Sequence, residues 1–196
     1  MKTLKSFYIF LLLCLTAILP SHASDFSQAQ MKKMSILVSN FTEIGMRDFR
    51  SSEILDMRKP EEMIHFAVWH NYMNTFHKTL KECHCSHGDL AIDGAFVKEN
   101  LKRYFDYDLK FLPNTEHYYS DGKQYHFYGA DGDPVYYAKV TSAKTLDNGH
   151  VQMKGYLYNI DEKSDVLGDF MALAKPHTWK GQPTWAILSL KTFFRR

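Results

Sequence analysis

The sequence predicts an α+β domain: three N-terminal helices packed on one face of a strongly curved antiparallel sheet. Three observations carry this. Apolar residues recur at spacings of three and four up to Tyr107, as helices require. After Pro113 the pattern becomes tyrosine-rich alternation broken by Asp-Gly and Asn-Gly pairs, which are hairpin signals. The last strand is apolar on both faces, as in a sheet curled around its contents.

The first helix is expected to begin near Asp25, an N-cap residue, and to bury Met34, Leu37, Val38 and Phe41 before Gly45 ends it. Between Arg47 and Lys59, Ile54, Leu55 and Met57 fit a short helical turn. The second helix, Pro60 to about Cys83, opens with proline at its first position and Glu61 and Glu62 at the positive end of its dipole. Phe66, Trp69, Met73, Phe76 and Leu80 form its expected buried stripe, and His70, Asn74 and His77 share a flanking face. Asp93 is placed to cap a third helix, Ala95 to Tyr107, whose apolar face carries Phe96, Val97, Leu101, Tyr104 and Phe105. Strands are expected near 115–120, 124–129, 134–143, 149–159, 168–176 and 184–194, with turns at Asp121-Gly122, Asp131-Gly132, Asn148-Gly149 and Lys180-Gly181.

Residues 1–23 read as a secretory signal peptide: Lys2 and Lys5, an apolar run from Phe7 to Leu19, then Pro20 and the small residues Ser21 and Ala23. The run is shorter than the roughly 20 residues a permanent bilayer anchor needs, so no stable membrane insertion is expected. Leu11-Leu12-Leu13 before Cys14 is a poor lipoprotein signal. Residues 24–196 are then a single periplasmic or secreted domain. Of 24 basic residues two leave with the leader, so the remainder balances the 22 acidic ones. That balance argues against nucleic acid as a partner.

The order of helices and then curved sheet, with the segments FVKENLKRYFDYDL and TWAILSLKTFF, resembles the NTF2-like superfamily in its exported, uncharacterised bacterial branch. The resemblance implies a cone with a pocket between sheet and helices, used for catalysis in some members and for binding alone in many. A homodimer through the exposed sheet face would also fit that kind of fold. It supplies no catalytic residues here, and fold does not fix function.

Cys83 and Cys85 are the cysteines remaining after the leader, and an oxidising compartment favours a disulfide between them over free thiols, though the ring is small and strained. Together with His84, His87, His77 and His70 they could ligate zinc, but paired zinc cysteines usually stand two to four residues apart and no second ligand pair follows, so no metal and no cofactor is expected. Asp131-Gly132-Asp133 lacks the later carboxylates of a calcium loop, and no G-x-S-x-G, G-x-G-x-x-G or G-K-[ST] sequence occurs. Rings suited to lining a ligand pocket include Trp69, His70, Tyr137, Tyr156 and Trp185. The leading expectation is an exported, non-enzymatic module holding a small ligand or a protein partner at the concave sheet face. Two alternatives are an inhibitor or immunity-type protein that blocks an exported enzyme, and a cofactor-free enzyme with His70 or His77 as base.

Overall fold

The computed structural model describes residues 25–56, 58, 60–130 and 136–195. The leader with Cys14, Met57, and the turn Asp131-Gly132-Asp133 lie outside these residues. In chain order the elements are α1 (Gln28–Thr42), β1 (Phe49–Arg50), α2 (Ser51–Ile54), α3 (Pro60–Thr79), β2 (Leu80–Cys85), β3 (Gly88–Asp93), α4 (Gly94–Phe105), β4 (Tyr119–Ser120), β5 (Gln124–Phe127), β6 (Tyr136–Thr145), β7 (Val151–Asn159), β8 (Val166–Trp179) and β9 (Gln182–Phe194). The fold is mixed α+β, but the strands divide into two antiparallel sheets in place of the single curved sheet that the alternation predicts. One runs β1-β9-β8-β7-β6 and the other β2-β3-β5-β4. No helix among the described residues is long and apolar enough to cross a membrane.

The five-stranded sheet ends at β6, whose outer edge would leave peptide groups unpaired. Helix α1 covers it with hydroxyls spaced one turn apart. Ser35 Oγ accepts from Val140 N–H at 2.9 Å, Ser39 Oγ accepts from Ala138 N–H at 2.9 Å, and Thr42 Oγ1 donates to the Tyr136 carbonyl at 2.6 Å. Start and stop of α1 follow local chemistry: Ser27, two residues beyond the expected Asp25, forms a capping box with Gln30. Asp25 instead accepts from Thr145 N–H at the far end of β6. Gly45, at φ 71°, turns the chain away.

The adjacent face of α1 delivers Met34, Val38 and Phe41, all fully buried, into the core. Phe41 stacks on Phe66 of α3 at 4.5 Å between centroids, and both meet Phe105 of α4 edge-on at 5.5 and 4.9 Å. These rings lock the three long helices together. From the sheet come Val140, Val151, Met153, Leu157, Phe170 and Ile187. Gly155 stands where β6 and β7 draw close, since a Cβ there would strike the Lys139 carbonyl.

Helix α3 ends at Thr79, four residues before the expected Cys83. Thr75 has left helical geometry at φ −142°, and its hydroxyl bonds back to the Asn71 carbonyl as Thr79's does to that of Thr75. Such back-bonding loosens a helix. Past the kink the chain becomes β2, and Ser86-His87 turn it back into β3 as a hairpin. The stripe expected on α3 therefore turns aside: Phe66 is buried and Trp69 and Phe76 are half-buried, but Met73 is 41% exposed. The both-faces reading of β9 also changes at its end, where Phe193 and Phe194 reach solvent.

Helix α4 begins where the Asp93 cap places it, with Asp93 Oδ1 accepting from Ala95 N–H, but it stops at Phe105, two residues before the expected Tyr107, because Asp106 takes the left-handed conformation. Asp106 receives Lys102 at 2.8 Å and Lys175 of β8 at 2.9 Å, which hold its carboxyl down at about 2. A carboxylate lowered in the folded state adds stability above its unfolded value near 3.9, and that stability fades as pH falls towards 2. Asp106→Asn, which keeps a residue tolerant of that backbone, is expected to flatten the fall in Tm between pH 4 and pH 2, as read by circular dichroism melts. Replacing Ser39 by alanine strips the acceptor from a buried amide and should destabilise by about 1–3 kcal/mol in urea unfolding. An unchanged midpoint would mean α1 does not seal the sheet edge.

Candidate functional site

The five rings singled out in the sequence do not share one concavity. Trp69 lines a groove between α3, the 115–119 loop and the tips of β4 and β5. Tyr137 lies in a second cleft beside α1. Trp185 lies in a third with Pro176 and His177, its ring meeting Phe26 edge-on. Tyr156 sits on the outer face of the larger sheet between Lys139 and Asp169.

His70 is buried beneath the second cleft, 7% exposed, at the centre of a polar network that ties the three long helices. Its Nε2 stands 3.0 Å from Tyr104 Oη, which also accepts from Asn40, and its Nδ1 stands 3.2 Å from Asn74 and 3.7 Å from Glu43. Burial pushes the Tyr104 phenol up to about 12, so it stays protonated. Both imidazole nitrogens face partners. His77, expected on the same face, lies beyond the Thr75 kink and is exposed.

The groove at Trp69 holds about 580 Å³, and its walls include His65, His87, His117, Tyr118, Tyr119, Phe127 and Tyr128. Its polar floor is already organised. Trp69 Nε1–H donates to Tyr118 Oη at 2.7 Å, and Tyr118 Oη meets His65 Nδ1 at 2.9 Å. Burial lowers the His65 pKa against the opposing pull of Glu61, which favours a neutral ring able to accept the phenolic proton. Burial also raises the Tyr118 phenol above its ordinary range. At the rim His87 stacks on Tyr119 at 3.8 Å.

Beyond Tyr119, on the outer face of the smaller sheet, the β2 thiols meet β5. The disulfide expected between Cys83 and Cys85 is not formed here: both are free cysteines with Sγ atoms 2.8 Å apart, and His126 Nδ1 lies 3.2 and 3.5 Å from them. Cys83 donates to Cys85, which raises the Cys83 pKa and lowers that of Cys85. Asp121 Oδ1 accepts the amides of Gln124 and Lys123, which hold its carboxyl at about 2, while Oδ2 faces His126 Nε2 at 3.3 Å. No sequence spacing ties His126 to the cysteines, because strand pairing supplies it.

No family model, curated protein or solved structure matches this chain.

The lowered His65 pKa carries a sign. A base that protonates less readily when folded binds fewer protons than the unfolded chain, so its stability contribution is present above about pH 6.5 and declines below it. Imidazole resonances followed by NMR should place His65 below the ordinary value, and Tyr118→Phe should remove its hydrogen-bond partner. A His65 that titrates at or above 6.5 in the wild type would contradict the buried floor.

Proposed function

We propose that the protein is an exported, non-enzymatic binding module that takes a small ligand into the groove at Trp69. The observation that carries this reading is the fixed Trp69–Tyr118–His65 chain under an aromatic wall. Flat rings with polar tips suit a ligand with apolar faces and a few hydroxyl or amide groups, and a floor already hydrogen-bonded loses little order on binding. Export rests on the leader read in the sequence. An NTF2-like ancestry rests on the order of helices and strands and the two quoted segments, and the division into two sheets departs from the simple cone.

The inhibitor reading gains less support, because Met171 and Phe193 on the outer sheet face are interspersed with Lys139, Lys154, Asp169 and Lys191. A catalytic His70 finds a carboxylate and a phenol beside it, but both its nitrogens are engaged with residues that join helices. That is the arrangement of a structural histidine.

A thermal-shift screen of sugars, envelope lipids and their fragments against the processed protein tests the proposal. A ligand at 100 times its Kd should add about 2.7 kcal/mol of stability. Trp69→Ala should weaken that ligand at least tenfold by fluorescence or calorimetry, and Trp185→Ala should leave it unchanged. The groove is not the site if the Trp69 variant binds like the wild type, and the binding reading fails if the whole screen is silent.

A further inference from the structure

We propose that Cys83, Cys85 and His126 form a binding site for a thiophilic d10 cation, zinc(II) or copper(I), with Asp121 orienting the histidine from behind. The inference is independent of the groove's occupant. Two thiolates and one imidazole are the donors such ions prefer, and three protein ligands leave a coordination position open.

The distances fit with a small adjustment. Metal–sulfur bonds of about 2.3 Å and metal–nitrogen bonds of about 2.0 Å at tetrahedral angles separate S from N by about 3.5 Å, and S from S by about 3.8 Å. Here the S–N separations are 3.2 and 3.5 Å, and the sulfurs, at 2.8 Å, have to spread. Cys85 is the more exposed of the two thiols, so solvent borders it on the side towards which the sulfurs would spread.

The tautomer is set as well. A histidine that ligates through Nδ1 must carry its proton on Nε2, and Asp121 Oδ2 stands 3.3 Å from that atom. Metal-bound histidines usually have such a carboxylate behind them. Asp121 is itself fixed by two backbone amides of the β4–β5 turn, where Gly122 at φ 87° makes the reversal. The carboxylate is therefore in place before any ion arrives.

Strand pairing explains how the donors meet. On β2, Cys83 and Cys85 follow Lys81 at two-residue steps, with a register shift between Glu82 and Cys85. Lys81 pairs with Ala91 of β3, and Ala91 pairs with His126 of β5. Ala91 is the small side chain in the intervening row, and it leaves the imidazole room to reach across a whole strand. On binding, each thiol releases its proton to solvent, and the imidazole keeps its Nε2 proton towards Asp121.

The test uses the processed protein reduced with a phosphine, its two thiols counted before metal is added. Zinc is titrated against a chromophoric chelator and copper(I) against bicinchoninate, and cobalt(II) is used to read thiolate-to-metal charge transfer. The expected result is one equivalent of at least one of the two ions, with cobalt bands showing sulfur ligation. Cys83→Ser, Cys85→Ser and His126→Ala should each weaken binding at least about 100-fold, and Asp121→Asn by about 10–100-fold. His84→Ala, an exposed imidazole between the cysteines, should change nothing, and melting curves should show every variant folded. The proposal is overturned if the two cysteines cannot be reduced, if the reduced protein binds neither ion, or if folded His126→Ala binds as tightly as the wild type.

Discussion

An open sheet edge has to be satisfied, and the way β6 is satisfied fixes how the helices of this fold pack. Ser35, Ser39 and Thr42 lie on one side of α1, so their bonds to the β6 backbone set both the position of the helix and its rotation. With that rotation set, Phe41 points into the rings of Phe66 and Phe105, and Asn40 and Glu43 point at Tyr104 and at the Asn74–His70 pair. Helices α3 and α4 are thereby held from two directions, one apolar and one polar. Hydroxyls serve here because they can accept from an amide at one step of the strand and donate to a carbonyl at another.

The polar network shows why a histidine on a helix face is a poor guide to chemistry. His70 has the neighbours a catalytic base would want, Glu43 and Tyr104, but they arrive from α1 and α4 and close around it. Phe66 stacks on the remaining face of its ring at 5.7 Å. A buried imidazole surrounded this completely specifies how three helices meet. The groove at Trp69 differs in the respect that matters for binding: Trp69, His65 and Tyr119 keep part of their surface open after their internal bonds are made.

Much of the fold is legible in the chain, and the failures have local causes. Helix α4 is readable because Asp93 caps it and Val97, Leu101, Tyr104 and Phe105 keep a helical period. Strands β6 to β9 are readable from long alternation and glycine turns. The β2–β3 hairpin is not, since Leu80–Asp93 is short, polar and rich in Cys and His, so alternation there carries little hydrophobic contrast. The apolar spacing of α3 continues smoothly to Leu80, whereas the helix is broken by side-chain bonds at Thr75 and Thr79 that a hydropathy pattern does not register. The chosen rings separate for another reason: Tyr137, Tyr156 and Trp185 all belong to the larger sheet but stand on different strands, β6, β7 and β9, while Trp69 and His70 are on α3, and alternation along a strand gives a residue's face but not its place across the sheet.

That hidden hairpin is also what makes a second kind of chemistry available. Along the chain, Cys83-His84-Cys85-Ser86-His87 looks like a local cluster, and its spacing is wrong for a zinc finger. In the structure the local imidazoles drop out: His84 turns to solvent and His87 lies on Tyr119. The donor that joins the thiols is His126, two strands away, aimed by a hairpin-turn aspartate. A C-x-C pair in a strand presents both sulfurs on one side, which a helix would not do, and so the passage from α3 into β2 converts adjacent thiols into convergent ones. Tyr119 then stands between the two surfaces, 6.0 Å from the His126 ring on one side and stacked on His87 at the groove rim on the other.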